Sequence, residues 1–208
     1  PLLTKVDLEN DLSFKFNNKN FLITFHPVTL EDNSSKIHLD HLLNYLIDKS
    51  DTNVIFTKTN ADTFGRTINN TLDNYVKKNP ENSIVVSSLG RLKYLSALQY
   101  VDAVVGNSSS GIVEAPSFNI GTINIGDRQE GRIKAKSVID CQPTKEGINK
   151  AFEELFSSNF QEMLKTLKNP YEHKNGPKII LDATLDFLKN RNSLKKGFFD
   201  LNLNQNSD

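Results

Sequence analysis

The run from Val104 to Pro116, Val-Val-Gly-Asn-Ser-Ser-Ser-Gly-Ile-Val-Glu-Ala-Pro, carries an apolar strand into a turn of small residues that opens a helix. Such a junction suits an anion. The N–H groups of a helix's first turn have no intrahelical partner, the positive end of the dipole lies there, and Gly and Ser admit a ligand close to the backbone. On that reading Ser108, Ser109, Ser110 and Gly111 meet a phosphate. Glu114, one turn further in, accepts from two vicinal ribose hydroxyls. The other reading is a helix behind a buried strand, capped by Ser108 or Ser109 and holding no ligand.

More groups capable of chemistry follow other strand-like runs. They are His26 and Thr29; Thr59, Asn60 and Asp62; Ser87 and Ser88; and Asp127, Arg128, Gln129 and Arg132. In an open parallel sheet, ligands bind beyond the carboxyl ends of the strands, so these positions converge on one edge. Singly, each has a structural role open to it: Asp62 as a helix cap, Asn60 in a turn, Arg128 and Arg132 as solvated charges, His26 with its ring on the backbone. Five such loops at one edge favour a site. With a diphosphate across the Ser108 turn, Arg128 supplies two parallel charge-assisted bonds. His26 then faces the same charge and donates to a phosphate oxygen or protonates a leaving group. A base falls near Ser88 to Leu95, where Tyr94 is either an apolar plate or a core residue.

The elements that must position these groups are legible as alternating patterns. Residues 20–26 form an apolar run halted by Pro27, Val54 to Phe56 a second and Ile84 to Val86 a third. Val101–Val105 and Thr122–Ile125 supply a fourth and fifth strand, and Ser137–Ile139 a short sixth. Helices are expected between them: one after Ser34-Ser35 with Leu39, Leu42, Leu43, Leu46 and Ile47 on its inner face, one over 63–79, one over 91–99, and one opened by the serine triplet. Strands alternating with helices imply βαβ crossovers, so the fold class is α/β, a doubly wound parallel sheet of Rossmann-like type. A short helix with a capping-box-like start at Thr4–Asp7 precedes the first strand. Helices over 144–155, 158–168 and about 177–190 follow the last. Residues 1–190 read as one domain, and the polar, Asn-rich 191–208 as a poorly ordered tail.

Lys plus Arg equals Asp plus Glu at 25 each, with no basic block, which argues against a nucleic-acid partner. No apolar run reaches the roughly 18 to 20 residues of a membrane span, so a cytoplasmic protein is expected. The one cysteine, Cys141, reads as a buried thiol. No His, Cys and carboxylate cluster stands at metal-ligand spacing, and neither a metal nor a cofactor is expected. Asn-x-Ser/Thr triplets at Asn33, Asn69 and Asn107 would matter only in a secreted protein. The chain opens at Pro1 without a methionine, which suggests a piece of something longer.

Four segments together resemble the hydrolysing UDP-N-acetylglucosamine 2-epimerases, the sialic- and legionaminic-acid pathway members above all. They are Thr24-Phe25-His26-Pro27-Val28-Thr29, Thr59-Asn60-Ala61-Asp62, Gly106 to Gly111 through Glu114, and Gly126-Asp127-Arg128-Gln129-Glu130-Gly131-Arg132. The resemblance covers roughly residues 1–190, in order and at matching intervals. It implies one half of a glycosyltransferase-B architecture, the carboxyl-terminal, nucleotide-binding domain, with the amino-terminal domain as its missing partner. It further implies that Ser108 and Ser109 contact the diphosphate, Glu114 the ribose and Arg128 the phosphates. His26 takes the phosphate side of the cleft near the breaking bond, and Asn60 and Asp62 a loop at the domain interface. The segment Tyr171–Gly176 departs from the Gly-Asp-Gly type of loop the resemblance leads one to expect.

The family reaction eliminates UDP from C1 with loss of the C2 proton, giving a glycal that water converts to the free 2-epimeric sugar. From UDP-N-acetylglucosamine the products would be N-acetylmannosamine and UDP. Family carboxylates for C2 belong to the other domain, so this piece is expected to be inactive alone. The full protein is expected to be an enzyme acting on a UDP-amino-sugar, with homo-oligomerisation open. Two rivals stand: the nucleotide-sugar domain of a glycosyltransferase of the same architecture, and a binding module without chemistry. UDP release without an acceptor separates the first. An upstream βαβ segment in the same reading frame separates the second.

Overall fold

The computed structural model describes residues 1–28, 34–47, 49–59 and 63–190. Its strands are β1 (Lys19–Thr24), β2 (Thr52–Thr57), β3 (Ser83–Val86), β4 (Ala103–Gly106), β5 (Gly121–Ile125) and β6 (Val138–Cys141). They form one sheet in the order β3-β2-β1-β4-β5-β6, every neighbouring pair parallel. The chain winds outward to β3, returns to lay β4 beside β1, and winds outward again. The β1–β4 seam is therefore the topological switch point, where a parallel sheet opens a crevice at its carboxyl edge.

Both faces are covered, as the apolar strands require. Phe21, Ile23, Val54, Phe56, Val105, Ile123 and Ile125 pack beneath α2 (Ser34–Leu46), α3 (Thr63–Lys78), α6 (Lys145–Leu155) and α7 (Ser158–Leu164). The alternate residues Leu22, Ile55 and Val104 join Leu8, Ala97, Leu98 and Ala115 on the opposite face, under α1 (Lys5–Leu12) and α4 (Gly90–Ala97). Thr4 caps α1 by accepting from the Asp7 N–H at 3.2 Å, as its sequence signature predicts. Cys141 is buried, and burial pushes its thiol up to about 11.

Several expected boundaries move. Leu39, Leu42, Leu43 and Leu46 are buried, but Ile47, one residue past the end of α2 at Leu46, is 54% exposed. The sixth strand runs Val138–Cys141 rather than 137–139, and α7 ends at Leu164. The largest departure is the helix after the serine triplet: α5 covers only Ser110–Val113 and gives way to a 3-10 turn at Ala115–Phe118. Pro116 has no N–H to extend the ladder, and Asn119, at φ +55°, closes the turn. A single turn aligns few peptide dipoles, so hydroxyls and nearby side chains must carry more of any anion binding there than the sequence suggests.

The chain divides into two compact units, Pro1–Tyr171 and Glu172–Asp208. The second contains α8 (Gly176–Lys189), which starts with Pro177 in its first turn. The tail 191–208 lies outside the described residues. None of the described helices is long and apolar enough to cross a membrane.

Candidate functional site

Gly106 ends β4 at φ +130°, a backbone conformation open to glycine, and delivers Asn107 into the seam. Asn107 is 1% exposed and organises the edge. Its Oδ1 accepts from the His26 N–H at 2.7 Å and its Nδ2 donates to the His26 carbonyl at 2.8 Å, continuing the β1–β4 ladder through a side chain. The Asn107 carbonyl in turn accepts from Arg128 Nη1 at 3.0 Å and Gln129 Nε2 at 2.8 Å. One residue thus ties the loops after β1, β4 and β5 together.

The loop after β2 joins through the imidazole. His26 Nδ1 lies 2.8 Å from the hydroxyl of Thr59, just past β2. Of the residues expected at the edge, the structure brings together His26, Thr59, Asn107, Arg128 and Gln129. Asn60, Asp62 and Thr29 lie outside the described residues. Asp127 and Arg132 are exposed, and Ser88, also exposed, accepts from the Gly90 N–H at 3.1 Å.

Beyond Asn107 the serines form a hydroxyl cluster. Ser110 Oγ lies 3.2 Å from Ser108 Oγ and accepts from the Tyr94 hydroxyl at 2.6 Å. Ser109 occupies the N-cap position without a side-chain cap bond, and the Ser110 N–H reaches Ser108 Oγ at 3.4 Å instead. Tyr94 is partly buried against the core on the α1/α4 side, and burial pushes its phenol up to about 12. Gly111 has to be small, since a Cβ there would press on the Thr122 side chain, whose hydroxyl donates to the Gly111 carbonyl at 2.6 Å.

Glu114 caps α5 at its far end. Its Oε2 is buried without a hydrogen-bond partner, and desolvation raises its pKa above the ordinary carboxylate value. A buried lone carboxylate oxygen is costly unless something donates to it. Paired hydroxyls of a ligand would do so. No group of three or more His, Cys, Asp or Glu able to hold a metal occurs among the described residues.

Asn107, Thr59 and Gln129 stand among the sequence-level candidates only as loop members, without roles. What marks Asn107 is its chemistry: an amide side chain carries a donor and an acceptor, like the peptide whose ladder has ended. That signal becomes readable once β1 and β4 are known to be neighbours.

A family model described as UDP-N-acetylglucosamine 2-epimerase matches residues 2–184. A Campylobacter jejuni protein named GDP/UDP-N,N'-diacetylbacillosamine 2-epimerase (hydrolyzing) is 40% identical over 199 residues, 96% of this chain and 51% of its own. The Escherichia coli polysialic acid biosynthesis protein P7 is 33% identical over 182 residues, 87% of this chain and 46% of its own. In three dimensions an S. aureus MnaA–UDP co-structure is similar with a TM-score of 0.68 at 13% identity, over 94% of this chain and 51% of that one. The chain spans about half the length of the curated relatives it matches.

Proposed function

Since this chain belongs to the UDP-N-acetylglucosamine 2-epimerase family, we propose that it is the UDP-binding half of a hydrolysing UDP-amino-sugar 2-epimerase. The observation that carries the reading is Glu114: a buried carboxylate oxygen with no partner, four residues beyond a cluster of serine hydroxyls at the switch point. A nucleoside diphosphate matches that order. Its ribose hydroxyls donate to Glu114, and its phosphate oxygens accept from Ser108, Ser109, Ser110 and Arg128. The base then falls toward Ser88. UDP is the nucleotide in the S. aureus co-structure, which has the same fold. The name of the 40% identical relative, an N,N'-diacetylbacillosamine 2-epimerase, favours an N,N'-diacetylated sugar over N-acetylglucosamine as the substrate.

In the proposed reaction the C1–O bond breaks and UDP departs with the electron pair, while a base outside this chain removes the C2 proton. Water then adds across the resulting double bond to give the free epimeric sugar. This chain's residues act on the leaving group. Donors that hold the growing charge on UDP more tightly than the sugar-linked diphosphate lower the barrier to elimination. On this reading His26, anchored through its main chain and Nδ1, faces the phosphates.

Calorimetric titration of the chain with UDP, UMP, uridine and ADP tests base, ribose and diphosphate together. UDP is expected to bind more tightly than UMP, uridine or ADP. Arg128→Ala and Ser109→Ala are each expected to weaken UDP binding by about 1–3 kcal/mol while leaving uridine binding nearly unchanged. Equal losses for the two ligands would remove both residues from the diphosphate.

Glu114→Gln separates function from stability. A carboxyl whose pKa is raised on folding favours the native state at low pH, and that contribution is lost as pH rises from the unfolded pKa through the folded one. At pH 7 the neutral amide is therefore expected to raise the melting temperature of the ligand-free chain. It also puts a donor where hydroxyls need an acceptor, so uridine and UDP should weaken alike. A lower melting temperature would show that the carboxylate is well paired within the chain.

A further inference from the structure

Two of the three Asn-x-Ser/Thr triplets carry asparagines that do the same thing in the folded chain. Asn107 pairs its amide with the N–H and C=O of His26, and Asn69, in the second turn of α3, does so with Thr59. The Thr59 N–H donates to Asn69 Oδ1 at 3.0 Å, and Asn69 Nδ2 donates to the Thr59 carbonyl at 3.1 Å. Thr59 is 8% exposed and lies past the last β2–β3 ladder bond, that of the Lys58 N–H to the Val86 carbonyl. A buried peptide without ladder partners must find others, and the amide of Asn69 supplies both. The Thr59 hydroxyl meets His26 Nδ1 at 2.8 Å. Asn107 thus holds the His26 main chain, and a hydroxyl that Asn69 fixes from a different element meets its ring.

We propose that Asn69 is a positioning residue for the His26 imidazole, acting through Thr59. The orientation of the ring and the nitrogen that carries its proton follow from the hydrogen bond made at Nδ1. A threonine anchored at both ends of its peptide can hold that bond in one geometry; one free to rotate cannot. The functional consequence rests on the UDP reading above, in which His26 faces the diphosphate.

The test uses the chain with 15N-labelled histidine, the His26 ring resonances being assigned by their loss in His26→Gln. Thr59→Val removes the hydroxyl and keeps the shape, so it is expected to shift the His26 Nδ1 resonance. Asn69→Ala is expected to shift it the same way and to broaden it. Asn69→Asp, which keeps only the acceptor, should fall between, and Thr59→Ser should retain the native signature. Combining Asn69→Ala with Thr59→Val should add nothing further to the shift. UDP affinity is expected to fall roughly two- to tenfold in Asn69→Ala, the equivalent of one net hydrogen bond, with uridine affinity unchanged. If Asn69 served stability alone, the melting temperature would drop while the ring signals stayed in place, and the proposal would be overturned. Ring shifts as described in a chain that does not bind UDP would uphold the positioning role and overturn the functional reading instead.

Discussion

Gly106→Ala is expected to cost the fold about 3–5 kcal/mol, at the upper end of what one methyl group can do. Two effects add. At φ +130° an L-residue is strained whatever the space around it, and here there is none: an added Cβ would collide with the carbonyl oxygen and carbon of Thr24. Those atoms belong to β1's main chain, so no side chain can swing aside. Relief requires β1 and β4 to separate at the seam where the Asn107 N–H donates to the Thr24 carbonyl at 3.2 Å. Urea unfolding is expected to show a lower midpoint at unchanged slope, with UDP binding lost from whatever remains folded. Gly131→Ala is the control. It too has positive φ, +75°, but a Cβ there meets nothing within 4 Å, so the cost should stay near about 1 kcal/mol. Similar losses at both positions would mean that φ strain alone acts at Gly106.

That contrast also marks what the sequence makes legible. The doubly wound class follows from runs such as Phe21–Ile23, Val54–Phe56 and Ala103–Val105, apolar on both faces because helices cover both sides; Leu22, Ile55 and Val104 face one layer while Phe21, Val54 and Val105 face the other. The residues that follow each strand could therefore be assigned to one edge from the pattern alone. What the pattern does not contain is the meeting of His26 with Asn107 across 81 positions, or of Arg128 with the Asn107 carbonyl across 21. Local signals mislead where a single residue interrupts a period. Pro116 cuts the helix after the serine triplet to one turn, and Ile47 fits the helical spacing but falls after the helix has ended. Glu114 is legible as a candidate from its place in the motif, yet its buried, unpartnered oxygen depends on what packs around it.

Asn107→Ala should be the most damaging change that leaves the backbone unstrained. It removes an acceptor from the His26 N–H and a donor from the His26 carbonyl at a seam where Asn107 itself is 1% exposed. Leaving two such groups unpaired is expected to cost about 2–4 kcal/mol. The Asn107 carbonyl survives the change, but its hold on Arg128 and Gln129 is only as steady as the loop that presents it. UDP affinity should therefore fall more than uridine affinity. Asn107→Asp distinguishes amide pairing from mere loss of volume. The new side chain still accepts from the His26 N–H, but at neutral pH it sets a second oxygen against the His26 carbonyl, where the amide had donated. Burial and the His26 carbonyl facing its second oxygen raise the pKa of the introduced carboxyl above its unfolded value, so the native state takes up a proton as pH falls. Protonated, it can donate to that carbonyl again. Asn107→Asp is thus expected to be less stable than Asn107→Ala near pH 7 and to recover toward the unaltered chain as pH falls through the folded pKa. Stabilities that ran parallel across that range would show that the seam is held by packing, with the His26 amide bonds contributing little.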